Sequence, residues 1–225
     1  MKVTLTIPES YKDITVNQYQ KWFKIVNEND PSDFVNLKTI EIFCQVNNVH
    51  LLPVNEVEEA IKHINRVFET MPKLVQRFKL NGVEFGLIPN FDEMSFGEYV
   101  DINSYIDNVD DFHKALAVLY RPIKNKVKDL YEIEEYKGSD VWAEQMKYAP
   151  LDTILGAKVF FYDLANELLQ VTLNSLEELP PAEREIIRQK LNLLNNGDGI
   201  NLSMHSLREM LDISMKLPSY QSTSA

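Results

Sequence analysis

The sequence predicts an α+β fold that is predominantly α-helical and carries a small antiparallel β-sheet. Most segments place apolar residues at helical spacing, while two short runs, Val75–Leu80 and Val83–Ile88, flank the dipeptide Asn81-Gly82. Asn-Gly suits the two positive φ values of a type I′ turn, which predicts a β-hairpin. Apolar and polar residues alternate over Val3–Ile7, and this alternation predicts an N-terminal strand. Because an isolated hairpin is marginally stable in water, we expect that strand to join it.

Three helices are predicted between the first strand and the hairpin. Thr15 and Gln18 have the spacing of a capping box, so the first helix is expected to run to about Asn27. Helical periodicity predicts the second helix from Asp33 or Phe34 to Val46 and the third from Asn55 or Glu56 to Thr70. We expect Asn55 to be the N-cap of the third helix, because its side-chain oxygen can accept a hydrogen bond from a first-turn amide.

Two more helices are predicted after the hairpin, which ends at Pro89. Ser95 and Glu98 again have capping-box spacing, and this predicts a helix to about Ile106. Asp110-Asp111 opens the next helix, since acidic residues are favourable at the positive end of the helix dipole. That helix is expected to run through Tyr120 until Pro122 stops it.

The remaining sequence divides the chain into four predicted regions. Residues 1–123 form a mixed helix and hairpin domain, and residues 124–149, with a charged run and Gly138-Ser139, are predicted to be a loop or arm. A helical region is predicted over 150–218, packed on the first domain, and residues 219–225 read as a polar tail. Its helices are expected at Pro150 to about Asn174, Ala182–Leu194 and Ser203–Lys216.

Charge and hydropathy limit the possible partners. The chain has 225 residues and a net charge of −11. Such a surface opposes strong nucleic-acid binding, because it would repel the phosphate backbone. Arg121–Lys128 is basic, but acidic residues follow at Tyr131–Tyr136, and we interpret the run as a solvated charged segment. The most apolar stretch, Ile154–Leu173, is interrupted by charged residues, which favours a buried helix and no membrane partner.

Cysteine usage and the amino terminus bear on the compartment. A single cysteine, Cys44, rules out an intrachain disulfide and indicates a reducing compartment. Secretion through a signal peptide is not expected, because Pro8, Glu9 and Asp13 come too early for an apolar core.

No residues are predicted to be catalytic, to bind a cofactor or to bind a metal. Cys44 lies in an apolar helix, where a buried thiol is expected. The segment Asn195–Asn201, NNGDGIN, superficially resembles a calcium loop, but a loop starting at Asp198 would have Ile200 and Leu202 where oxygen ligands are needed. Common phosphate, dinucleotide and nucleophile-elbow motifs are absent from the sequence, which disfavours an enzyme. The histidines are too far apart in sequence to suggest a metal site: His50, His63, His113 and His205.

The densest acidic region allows two readings. Its carboxylates belong to Asp92, Glu93, Glu98, Asp101, Asp107, Asp110 and Asp111. A carboxylate pair or divalent-ion site is one reading, and it would make the protein a hydrolase or nuclease. We favour helix capping and solvation of a turn, because Glu98, Asp110 and Asp111 already have capping or dipole roles. Aromatic residues on apolar helices are likewise expected to be core residues: Trp22, Phe23, Phe160, Phe161 and Tyr162.

The first half of the chain, Met1 to about Ile123, resembles small proteins encoded among the structural genes of tailed bacteriophages. The resemblance lies in the opening TIPESYKDITVNQYQ, the segment VEFGLIPNFDEMSFGEYVDINSYI and the helix end ALAVLYRPI. It implies a non-enzymatic structural protein of the virion, assembled in the host bacterial cytoplasm. The implied role is a ring or connector component at the head–tail junction or in the tail, contacting itself and portal or tail proteins. The alternative is a tail-assembly chaperone that binds the tape-measure protein transiently and is absent from the mature particle.

Overall fold

The computed structural model describes residues 5–163, with only the backbone of Asp92. Several predictions therefore lie outside the described residues. They are the strand residues Val3 and Thr4, the helices expected after residue 163, His205, the segment Asn195–Asn201 and the polar tail 219–225.

Seven α-helices and five short 3-10 turns surround one sheet within the described part of the chain. The 3-10 turns are Tyr11–Asp13, Val49–Leu51, Phe91–Glu93, Val109–Asp111 and Ser139–Val141. The helices are α1 (Val16–Glu28), α2 (Asp33–Phe43), α3 (Val54–Phe68), α4 (Phe96–Tyr105), α5 (Phe112–Leu119), α6 (Ala143–Met146) and α7 (151–163, to the end of the described residues).

The helix starts follow the capping chemistry of the sequence in two cases and depart from it in a third. Thr15 and Gln18 form the predicted capping box of α1, and Ser95 and Glu98 form that of α4. The N-cap predicted at Asn55 is wrong, because Pro53 holds that position and α3 begins at the next residue. Proline has no side-chain oxygen to accept a hydrogen bond, so the helix starts without a side-chain cap. The proline ring instead restricts φ of the residue before the first helical position.

The sheet is antiparallel in the order β1-β2-β3-β4. The predicted hairpin is confirmed as β1 (Arg77–Leu80) and β2 (Val83–Leu87), and φ is positive at both Asn81 (49°) and Gly82 (81°). The other strands are β3 (Tyr120–Val127) and β4 (Leu130–Ile133). Together with the helices, these strands confirm the α+β, mainly helical class.

Two details of the predicted sheet are wrong. Leu5–Ile7 is not a strand, and the strand that joins the hairpin is β3, which pairs with β2. Helix α5 ends at Leu119, so Pro122 lies inside β3 and not at a helix end. Pro122 is tolerated because proline removes only a donor, and its carbonyl still accepts from the Glu134 N–H (2.9 Å).

The segment predicted as a loop or arm, 124–149, contains regular structure. β3 continues through the predicted boundary at residue 123 and turns into β4, after which the chain forms α6. Charged residues conceal this hairpin in the sequence, because Lys124 and Lys126 stand where a buried strand would carry apolar side chains. The hairpin curls over the sheet, with the Tyr131 hydroxyl donating to the Leu87 carbonyl (2.9 Å).

The main core is aromatic and lies where α1, α2, α3 and α5 meet. Trp22 is fully buried and stacks on Phe68 with ring centroids 5.2 Å apart, and Phe112 stacks on Tyr19 at 6.3 Å. The Trp22 indole N–H donates to Thr39 Oγ1 (3.0 Å), so its polar atom is satisfied inside the core. The core role predicted for Trp22 is therefore confirmed.

Helix α7 packs so closely against the chain before β1 that one position excludes any side chain. A Cβ atom on Gly156 would lie 2.2 Å from the Lys73 carbonyl oxygen, which is part of the backbone. Backbone cannot rotate aside as a side chain can, so the close approach requires glycine.

We expect Gly156→Ala to destabilise the fold by about 2 kcal/mol, because overpacking outweighs the helical preference of alanine. Gly97→Ala is the matched control on α4, since its nearest contact would be an ordinary 3.9 Å from Tyr136. That change should be neutral or slightly stabilising. Urea unfolding of both variants measures the difference, and equal midpoints would contradict the predicted clash.

Candidate functional site

The most buried of the predicted acidic residues, Glu98, is part of an ion pair. Its side chain is 7% exposed and its Oε1 lies 2.6 Å from Nη2 of Arg121, which is 9% exposed. The other carboxylate oxygen accepts from the N–H of Ser95 (2.7 Å) and from its hydroxyl (2.6 Å). Both oxygens are therefore occupied, and the first turn of α4 is joined to the start of β3.

Arg121 was predicted to begin a solvated basic run, and this is wrong for Arg121 itself. Its guanidinium lies against the ring of Tyr136, 5.6 Å from the centroid, and the Tyr136 hydroxyl donates to Asp101. Four side chains thus form a polar cluster: Glu98, Arg121, Tyr136 and Asp101. No local sequence pattern links them, because 23 positions separate Glu98 from Arg121 and 35 positions separate Asp101 from Tyr136.

The electrostatics of the cluster keep Glu98 ionised. Burial on its own would raise the pKa of Glu98, but the hydrogen bonds from Ser95 and the charge of Arg121 outweigh it and hold the pKa below its usual value. Burial and the neighbouring Asp101 carboxylate raise the pKa of Tyr136, so its hydroxyl remains a donor. An ionised carboxylate that is fully paired is a structural link and not a poised general base.

Among the described side chains, the other carboxylates of the acidic region do not converge on one point. Asp111 pairs with Lys114 (2.8 Å), and Asp107 Oδ1 lies 3.5 Å from Nζ of Lys158. Glu93 and Asp110 are exposed. Among residues 5–163, no three His, Cys, Asp or Glu side chains are placed to hold a metal ion.

A buried lysine, which the sequence analysis did not single out, fixes α7 to the turn after α4. The Lys158 side chain is fully buried; its ammonium donates to the Ile106 carbonyl (2.9 Å) and lies 5.3 Å from the centre of the Phe112 ring. Burial lowers its pKa, although Asp107 opposes that shift. The ammonium caps the carboxyl end of α4, where a positive charge is favourable.

The described histidines are separate. His50 and His63 are exposed, whereas His113 is buried with its Nδ1 3.1 Å from Nε2 of Gln20. Burial, with Lys147 and Lys114 nearby, lowers the pKa of His113. It therefore belongs to the packing of α1 against α5.

Cys44 is buried as expected, with 6% of its surface exposed. It lines an open cavity of about 470 Å³ together with Ile7, Pro8, Phe43 and Gln45. Burial raises the pKa of the thiol to about 11, which disfavours the reactive thiolate.

Among the exposed apolar side chains of the described residues, two groups each lie together on one helix or one hairpin. The first, here called the α4 face, consists of Phe96, Tyr99 and Val100, which are 81%, 57% and 42% exposed. The second, here called the hairpin tip, consists of Val127 and Leu130, which are 72% and 80% exposed and pair directly across the β3–β4 turn. Residues three and four apart on a helix, or opposite each other on a hairpin, present a continuous surface.

Comparison of the chain with protein-family models, with curated proteins and with solved structures gave no match. Among the described helices, none combines the length and apolar character needed to cross a membrane.

We expect Glu98→Gln to lower the free energy of unfolding by about 3 kcal/mol at neutral pH, because it leaves the buried Arg121 without a counter-charge. Glu84→Gln is the control: Glu84 pairs with Lys126 at 2.9 Å, but both side chains are about one-third exposed, so its loss should cost much less than the loss of Glu98.

The pH dependence of the same variant has a definite sign. The folded-state pKa of Glu98 is lowered, so its stabilisation is present above the ordinary glutamate value of about 4.3 and is lost as pH falls through the folded-state pKa. Denaturant unfolding from neutral to acidic pH should show the stability gap between wild type and Glu98→Gln closing in that window. A gap that widens on acidification would contradict this assignment.

We expect the Cys44 thiol to react slowly with a disulfide reagent such as DTNB at mildly alkaline pH, because its pKa is about 11 and its surface is covered. The same reagent should titrate one thiol per chain at once in denaturant. Rapid labelling of the native chain, at the rate of free cysteine, would refute the assignment of Cys44 as a buried core thiol.

Proposed function

We propose that the protein is a non-enzymatic structural component of a tailed-phage virion, a ring or connector subunit at the head–tail junction or in the tail. The observation that carries the proposal is the α4 face, where Phe96 is 81% exposed next to Tyr99. Exposed aromatic side chains that lie together are typical of protein–protein contacts. The resemblance of residues 1–123 to phage structural-gene products supplies the setting.

The anchoring of α4 supports a role in assembly. A surface that binds partners repeatedly needs a rigid base, and α4 is held at its start by Glu98 and Arg121 and at its end by Lys158. Its apolar side chains therefore keep a fixed spacing while they point to solvent. In this proposal the partners are further copies of the chain and portal or tail proteins.

The alternative role, a tail-assembly chaperone, uses the same surface differently. A chaperone would hold the tape-measure protein on the α4 face during tail assembly in the host cytoplasm and then leave. The two roles differ in whether the chain remains in the finished particle.

We expect the chain to be recovered from purified particles at a fixed copy number, measured by quantitative mass spectrometry against a known capsid protein. The amount should persist through density-gradient and high-salt purification, whereas an abundant host enzyme, measured as the control, should fall away. Absence from particles, combined with capture of the tape-measure protein by the tagged chain in infected cells, would replace the structural role by the chaperone role. If the chain is absent from particles and also captures no tape-measure protein, the phage assembly proposal is contradicted.

A further inference from the structure

We infer that copies of this chain associate head to tail, with the hairpin tip of one copy docking on the α4 face of the next. This inference rests on the proposed function, because a ring subunit must bind its own kind through two different surfaces. It names those surfaces by their residues and chemistry.

The hairpin tip is apolar and locally basic. Val127 and Leu130 face each other across the turn and are largely exposed, and Lys124 and Lys128 beside them are exposed as well. The turn residue Asp129 is itself exposed and lies 3.6 Å from Arg77, so it offsets one positive charge of the tip. Lys126 pairs with Glu84, while Lys124 and Lys128 remain in solvent. The hairpin tip therefore fits a partner surface that has apolar side chains at its centre and carboxylates at its edge.

The α4 face has the complementary chemistry. Phe96, Tyr99 and Val100 present apolar surface, and the sequence has no lysine or arginine anywhere from Asn81 to His113. Glu93 is exposed one turn before α4 begins. Arg121 is neutralised by Glu98, and Lys114, which lies over Tyr105 at the far end of α4, is paired with Asp111. Glu93 and Asp101 therefore supply carboxylates near this face, against one exposed lysine, Lys137, which follows Tyr136.

Charge favours a second copy in this orientation over a symmetric contact. Two α4 faces brought together would oppose carboxylates to carboxylates, and two hairpin tips would oppose lysines to lysines. Docking the hairpin tip on the α4 face pairs opposite charges at the edge of the contact and apolar side chains at its centre. This arrangement is usual in protein interfaces. The net charge of −11 makes two copies repel each other on the whole, so a local match of opposite charges favours this contact.

The two surfaces do not cover each other within one copy, since the residues of both are exposed. The Tyr131 hydroxyl, bonded to the Leu87 and Gln76 carbonyls (2.9 and 3.3 Å), holds the hairpin against the sheet. A contact between two different patches is heterologous, so it generates a ring if it closes and a filament if it does not.

The test is the association of the purified full chain, measured by sedimentation velocity and light scattering over a concentration series. A tip variant, Val127→Ser with Leu130→Ser, and a face variant, Phe96→Ser with Tyr99→Ser, should each weaken self-association by about tenfold or more. Leu51→Ser is the control, because Leu51 is 60% exposed and belongs to neither surface. Thermal unfolding of each variant confirms that the monomer remains folded.

Mixing the two variants tests the orientation of the contact. The tip variant retains an intact face and the face variant retains an intact tip, so an equimolar mixture should form one-to-one dimers that grow no further. A symmetric contact through either surface predicts no such dimer, and that result would overturn the inference.

Charge substitutions test the role of the lysines. Lys124→Glu with Lys128→Glu should weaken association more than Lys21→Glu with Lys24→Glu, an equal charge change at exposed positions on α1. Equal effects would mean that only overall repulsion acts, and would remove charge complementarity as the cause.

Two further outcomes overturn the docking inference. One is a wild-type chain that remains monomeric at its highest soluble concentration. The other is a face variant that loses thermal stability as a monomer while associating like wild type, since the face would then be covered within its own chain. Failure of the proposed function is seen separately, as absence from particles, so a virion protein that is monomeric in solution refutes the docking contact alone.

Discussion

The buried ion pair between Glu98 and Arg121 is the constraint on which the surfaces of this protein depend. Taking two charges out of water costs several kilocalories per mole for each ion, and their attraction repays this only when the remaining hydrogen-bonding atoms are also satisfied. Glu98 meets that condition because Ser95 donates twice to its second oxygen, whereas Nε of Arg121 is buried without a hydrogen-bond partner among the described residues. A single carboxylate therefore caps α4 and binds β3, which sets the position of the helix relative to the sheet.

Curvature of the sheet follows from a second local constraint. Tyr131 of β4 lies over Gly86 of β2, and a Cβ atom there would come within 2.4 Å of the tyrosine ring. Glycine leaves room for the ring, whose hydroxyl is bonded to the Leu87 and Gln76 carbonyls, and the β3–β4 hairpin folds across the sheet. The register shift between Ile123 and Asn125 adds to the bend. The hairpin tip is consequently held in one direction although it is surrounded by solvent.

Local chemistry made part of this fold predictable. The capping boxes of α1 and α4 and the Asn81-Gly82 turn depend on residues no more than three apart, and the sequence specifies all of them. β3 was missed because Pro122 reads as a helix stop and because the strand beyond it carries lysines on its exposed half. The pairing of β3 with β2 depends on residues more than thirty positions away, for which no local pattern exists.

The candidate site, too, could be predicted only where its residues are close in the sequence. Glu98 was assigned a capping role, which is correct but incomplete, since its charge is balanced by a residue 23 positions later. The clue available in the sequence was the neutral, apolar context of Arg121, which follows ALAVLY and precedes Pro122 and Ile123. Arginine is mostly exposed in proteins, but a buried arginine is nearly always paired, and a carboxylate is its usual partner. Because α4 supplies that carboxylate from its buried side, its opposite side is left to carry Phe96, Tyr99 and Val100 into solvent.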